Sequence, residues 1–237
     1  MNPAFIIVNA CLCTLLCGCS GQAIQRSDGS HTLRGFSLKE LAKGDIDNVV
    51  ETHQQAVITS LKTLTLKLYR RNPQEWRKGG FVDAENAVED LYKPLSYWHL
   101  AQKPDWQTSL LNAWREDFSG DRVQALMQGL LVMHMAAYNH RTEFYLLSEV
   151  DAQKLYNSAR NLEAVAWKLS NARRLNGEFF LLSNAIDSEG AANLSFEREF
   201  GKLIGIQDTL AKIIEDKNNR AIRFGVVNAA TMIFLPI

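Results

Sequence analysis

Three side chains able to move a proton or hold an anion fall on one stripe of a single apolar segment: His134, Tyr138 and Arg141, with His140 and Glu143 beside them. Spacings of i, i+4 and i+7 share a face if the segment is helical. If that face meets a pocket, His134 serves as an acid or base near neutral pH and Arg141 clamps an anion. The same three residues also describe a buried polar cluster whose members satisfy one another, and this plainer reading is preferred. The step from His134 to His140 does not stack two imidazoles on one helical face as the i, i+4 pair of a zinc helix does, so no metal site is expected.

A second concentration is Tyr69-Arg70-Arg71-Asn72-Pro73-Gln74-Glu75-Trp76-Arg77-Lys78, four cations and two aromatics around the start of a helix. Guanidinium forks, a cap with free N–H groups and a favourable dipole suit an anion, making Arg70, Arg71, Trp76 and Arg77 candidate ligands for the phosphate or carboxylate of a lipid, sugar or peptide. The alternative, again the preferred one, is a solvated helix end, where cations are welcome. Trp76, Trp98, Trp106 and Trp114 lie close together with Tyr69, Phe81, Tyr92, Tyr97 and Phe118. They offer either a groove for glycan rings or a partner helix, or simply core, and core is favoured.

Catalytic signatures are absent: there is no Gly-x-Ser-x-Gly, no His-Glu-x-x-His, no phosphate-binding glycine loop and no EF-hand. Glu85, Glu89, Glu116 and Glu163 read as exposed helix faces or termini, so no catalytic residue is assigned and no cofactor is expected. The Gly201-x-x-x-Gly205 pair reads as core packing outside a lipid-embedded segment.

These candidates sit in a chain of 237 residues, 46% hydrophobic and 22% charged, the make-up of an ordinary globular protein. With 26 basic residues against 26 acidic ones it has no net field to hold phosphate backbones, which excludes nucleic acid as an expected partner. Its four cysteines are Cys11, Cys13, Cys17 and Cys19, so the body beyond them has no disulfide framework, cysteine metal site or thiol nucleophile.

The elements that must position the candidates are helices. Ser37-Leu38-Lys39-Glu40 is a capping box, and Gly44-Asp45 permits a restart. Ile46, Val49, Val50, His53, Val57, Leu61, Leu64 and Leu68 then recur at three and four. Asn72-Pro73 begins another turn and Gly79-Gly80 stops it. Asp83 caps a segment interrupted by Pro94, and a short piece with Trp106, Leu110, Leu111 and Trp114 follows Pro104. The strongest apolar pattern, from Ser119 to about Leu147, predicts a central helix. A cap near Ser148 opens the next, ending near Asn176-Gly177, and the two are expected to form an antiparallel hairpin. After a short apolar piece from Glu178 to Leu182, the spacing of Leu194, Phe196, Phe200, Leu203, Ile204, Leu210, Ile213 and Ile214 marks a last helix. The nearly uncharged tail Phe224 to Ile237 reads as core. No alternating strand pattern and no fixed-period repeat is present, so residues 37–237 are expected to form a single compact all-α domain of five to seven helices.

The N-terminus reads as an address. From Ala4 to Leu16 the chain is almost wholly apolar, about thirteen residues, too short for the roughly twenty that cross a bilayer and suited to a signal-peptide core. It runs into Leu16-Cys17-Gly18-Cys19-Ser20, which resembles the lipobox of bacterial lipoproteins. That resemblance implies removal of residues 1–18, diacylglyceryl modification of the Cys19 sulfur and acylation of the new amine, with residues 19–36 as lipidated cysteine and flexible tether. Ser20 is not the aspartate that commonly retains such proteins at the inner membrane. The implied destination is the periplasmic face of the bacterial outer membrane, with the bilayer and an envelope protein as partners. The leading expectation is a non-enzymatic adaptor or accessory subunit of a cell-envelope complex. A binding module for an anionic glycan, lipid or small molecule comes second, and a cell-wall or lipid-modifying enzyme third.

Overall fold

Asp45 and Asp47 open the first helix. The Asp47 carboxylate reaches back to accept from the Gly44 backbone N–H at 2.8 Å, and the Gly44 carbonyl accepts from Asp47 at 3.0 Å. Both acids also complement the positive end of the helix dipole. From there α1 runs unbroken over Asp45–Arg71, closing on Arg70 and Arg71 at its negative end. The computed structural model describes residues 44–93, 105–145, 150–186 and 192–218. The expected signal segment, Cys19, the expected tether, the Ser37 capping box, Trp98 and Tyr97, and the tail 224–237 lie outside the described residues.

Among the described residues six further helices follow: α2 (Pro73–Lys78), α3 (Ala84–Tyr92), α4 (Trp106–Asn112), α5 (Arg122–Ala137), α6 (Ala152–Asn171) and α7 (Ser195–Asn218). The described chain is therefore an all-α domain with seven helices. A two-residue antiparallel pair, β1 (Ala185–Ile186) with β2 (Ala192–Asn193), precedes α7. Aspartates start four of the helices for one reason: each carboxylate accepts an orphan N–H of the first turn. Asp83 takes Asn86, Asp105 takes Thr108, Asp121 takes Gln124 and Asp151 takes Gln153, at 2.7 to 2.9 Å. Pro73 occupies the first position of α2, where its missing N–H costs nothing.

The central helix is α5, but it is shorter than its apolar pattern predicts. It ends at Ala137 because Asn139 and His140 turn into the left-handed region, with φ of 53° and 56°. Phe144 is still buried, though on the loop after the helix. Nearly every side of α5 is covered, from Val123 and Leu126 round to Met133 and Met135. The expected pairing of this helix with the next is only a minor contact: α6 packs chiefly along α7, and α5 chiefly along α4. The left-handed turn carries the chain off the α5 axis. The stripe of Leu155, Ala159, Leu162, Ala166 and Leu169 is then covered mainly by Phe200, Leu203, Leu210 and their neighbours on α7. Most of the core is one cluster linking α1, α3, α4, α5, α6 and α7. A smaller cluster around Val50, Tyr138, Phe144, Leu155 and Ile214 joins the start of α1 to the end of α7.

Close approach of α4 to α5 depends on Gly129. A Cβ there would lie 2.7 Å from Leu110 Cγ and 3.0 Å from the Leu110 backbone nitrogen. Because the backbone cannot give way as a flexible side chain would, Gly129→Ala is expected to destabilise the domain by about 1–3 kcal/mol. Urea denaturation checks this, and an unchanged midpoint would contradict it.

Candidate functional site

The polar stripe of α5 is real over its first two members. His134 and Tyr138 stand with ring centroids 4.7 Å apart, tilted by 54°. Both meet Gln207 of α7: the Tyr138 hydroxyl donates to Gln207 Oε1 at 3.0 Å, and Gln207 Nε2 donates to His134 Nδ1 at 3.0 Å and to Ser158 Oγ at 3.2 Å. With Nδ1 accepting, the assigned tautomer carries its proton on Nε2. That Nε2 faces the Gln54 backbone without completing a hydrogen bond. His134 is only 2% exposed, and burial pushes its pKa down to about 3. Burial also pushes the Tyr138 hydroxyl up. An imidazole so enclosed meets no substrate from solution. It sits where helices meet: His134, Ser158 and Gln207 of α5, α6 and α7 are joined by hydrogen bonds, and Gln54 of α1 faces Nε2.

Arg141 does not join this face. Because α5 stops before it, its side chain is exposed and only its carbonyl reaches inward, accepting from Gln54 Nε2 at 2.7 Å. The i+7 expectation therefore fails at the turn of Asn139 and His140.

The cationic segment is dispersed in a similar way. Arg70 pairs with Glu85 of α3 at 2.7 Å, across two exposed side chains. That pairing holds the Glu85 carboxyl below its ordinary range. Arg71 is exposed in the last turn of α1, and the Arg77 guanidinium lies 4.7 Å over the Trp76 ring. Asn72, the expected cap of α2, points elsewhere: Nδ2 donates to the Leu68 and Leu182 carbonyls, both at 2.9 Å, and Oδ1 accepts from Leu182 N at 2.8 Å. Only Arg77 and Trp76 are brought together, and the four residues do not form one anion cradle.

Beneath this surface lies a buried network that the pattern of charges does not reveal. Glu75 is buried and accepts from Lys78 Nζ and from the Arg122 backbone N–H, both at 2.8 Å. Tyr69 donates to Asp121 Oδ2 at 2.9 Å. Burial raises the Asp121 carboxyl, with Glu75 nearby adding to the effect. Arg122, 1% exposed, donates to the carbonyls of Ala113 at 3.1 Å, Arg115 at 2.7 Å and Phe118 at 2.8 Å, and lies against the faces of Phe118 and Phe180. Trp106 and Trp114 are core, as the aromatic segment suggests.

Among the described residues, an opening beside α6 combines charge with an exposed indole face. Between α6 and α7 a groove of about 380 Å³ is lined by Glu163, Ala166, Trp167, Ser170, Asn171, Glu197, Phe200, Gly201 and Ile204. Trp167 is 46% exposed there. Gly201 and Gly205, expected to serve core packing, are exposed instead, and a Cβ at either would meet nothing within 4 Å. A second dip of about 310 Å³, bounded by Lys62, Val88, Glu89, Tyr92 and Lys93, mixes both charges and defines no ligand. Among the described residues no group of three or more His, Cys, Asp or Glu could hold a metal ion, and no helix is long and apolar enough to cross a membrane.

No protein-family model, curated protein or solved structure matches this chain.

Proposed function

We propose that this is a lipid-anchored protein of the periplasmic face of the outer membrane, acting as a non-enzymatic adaptor or accessory subunit of a cell-envelope complex. The observation that carries the reading is the apolar run ending in Leu16-Cys17-Gly18-Cys19. Thioether and amide-linked acyl chains on Cys19 supply a stable anchor, since each buried CH₂ contributes about 0.8 kcal/mol. Residues 20–36, rich in Gly and Ser and without periodicity, would let the body stand off the bilayer by roughly 20 Å on a flexible-chain estimate. The polar groups of the helical body favour an adaptor over an enzyme. His134, Asp121, Glu75 and Arg122 are buried and bonded to neighbouring helices, so their chemistry holds the body together.

Native mass spectrometry of full-length protein extracted from membranes in mild detergent tests the anchor. The expected mass is residues 19–237 plus acyl chains, and Cys19→Ala is expected to leave an unprocessed chain without those chains. An uncleaved, unlipidated wild-type chain would remove the localisation. The adaptor role predicts a stoichiometric protein copurifying from crosslinked cells, and a clean monomer would count against it.

A further inference from the structure

We infer that the groove between α6 and α7 is a docking site for a basic side chain, an arginine or lysine, presented by a polypeptide partner. This deepens the adaptor reading and rests on it for the existence of a partner, though not on the lipid anchor.

The groove has the parts such a side chain needs. Its wall carries two carboxylates, Glu163 and Glu197, and among the described residues no Lys or Arg lines it. Glu197 is held by neutral donors: Oε1 accepts from Ser170 Oγ at 3.0 Å and from Asn184 Nδ2 at 2.9 Å. Those bonds fix the carboxylate in place while leaving its charge uncompensated. Glu163 has a neighbour in Arg160 at 3.0 Å, but Arg160 also pairs with Asp208. Burial and the Asp208 charge still hold the Glu163 carboxyl above its ordinary range. A carboxyl in that condition gains from an incoming cation. Beside the acids, the exposed ring of Trp167 offers the face on which a guanidinium or ammonium group is most strongly attracted. Ala166, Phe200 and Ile204 form an apolar lining for the methylene stem, the part of Lys and Arg that packs on hydrophobic surface while the head stays with charge. Gly201 leaves the α7 wall open, since no atom lies within 4 Å of where its Cβ would be.

Charge also decides between kinds of partner. Acidic walls repel phosphate, so a phospholipid headgroup or a nucleic acid is the wrong complement. Leu194, 57% exposed, stands one turn before Glu197. Arginine fits better than lysine because its planar group can stack on the indole and fork toward a carboxylate at the same time.

The test uses the full-length chain in a neutral detergent, with all nitrogens labelled and the Trp167 indole resonance assigned by Trp167→Leu. The probes are an alanine–glycine peptide carrying arginines and its twin in which every arginine is glutamine. The Trp167 signal is expected to shift saturably with the arginine peptide, to respond little to the glutamine twin, and to lose affinity on raising salt. Glu197→Gln keeps an acceptor for Ser170 and Asn184 but removes the charge, and is expected to weaken binding about tenfold, the loss of a charge-assisted contact. Trp167→Leu, followed through the remaining backbone signals, is expected to weaken it comparably at an unchanged melting temperature. Equal responses to both peptides, indifference to Glu197→Gln in a folded variant, or no response to either peptide would each overturn the assignment. A chain that fails the mass test for lipidation yet passes this titration would lose its proposed location and keep its groove.

Discussion

Arg122→Ala is expected to lower the folding stability by about 3–5 kcal/mol, from carbonyl acceptors deprived of a donor together with lost buried packing. The side chain donates to the carbonyls of Ala113, Arg115 and Phe118, which follow α4 as the chain turns toward α5. Removing the guanidinium takes that donor from all three carbonyls, leaves Arg115 with only the Phe118 N–H at 3.4 Å, and opens a cavity between Phe118 and Phe180. An orphaned buried acceptor costs about 1–3 kcal/mol. Burial pushes the Arg122 pKa down, with Arg174 adding to the effect, yet arginine keeps its proton, so the site is built around a fixed charge. Arg122→Met fills the volume but donates nothing, and is expected to recover less than half of the loss. Arg122→Lys keeps the charge but cannot span three carbonyls from one planar group. Guanidinium chloride denaturation of the set measures the order wild type, Lys, Met, Ala. A methionine variant as stable as wild type would show that the carbonyls find water and that the hydrogen bonds carry little of the effect.

The helices themselves were legible because their signals are local. Asp83 caps a first turn, Pro73 suits a first position, and Gly80, with φ of 77°, follows the end of α2 as the Gly79-Gly80 stop predicts. The spacing of Val57, Leu61, Leu64 and Leu68 marks the buried stripe of α1 correctly. What escapes is whatever depends on partners distant in the chain. Tyr69 meets Asp121 across 52 positions and Gln207 meets His134 across 73. No periodicity encodes such pairs, so Glu75 and Arg122 look like surface charges until the helices around them are placed. The end of α5 was readable only in part. Apolar residues continue to Phe144 and Tyr145, yet Asn139 is of a type that accepts left-handed backbone at a helix end. Trp167 carried a usable signal too. It stands off the stripe of Leu155, Leu162, Val165 and Leu169, on the face of Glu163 and Asn171, and a tryptophan on the polar side of a helix is a poor fit for core.

Acid should destabilise the fold through His134 in a definite window. Its folded pKa lies near 3 against an ordinary value of 6.5, because burial penalises the imidazolium. Between those two values the unfolded chain binds a proton that the folded chain refuses. The contribution is thus complete above pH 6.5 and falls as pH drops toward 3, by about 1.4 kcal/mol for each pH unit. Over the whole window this amounts to an order-of-magnitude loss of about 4–5 kcal/mol. His140, lowered by burial and by Lys154, adds a smaller slope of the same sign. Asp121 acts oppositely: its raised carboxyl takes a proton first in the folded state, so acidification relieves it. A wild-type pH profile therefore mixes signs, and the comparison with His134→Gln isolates the imidazole. Glutamine can accept from Gln207 Nε2 but does not titrate, so the variant is expected to be less stable near neutrality and to lose most of the slope between about pH 6 and 4.5. Urea unfolding across that range is the measurement. A variant whose slope matches wild type would mean that His134 is protonated within the fold, with Gln207 turned to present its oxygen, and that the α1–α5–α6–α7 junction is held by a cation at acid pH.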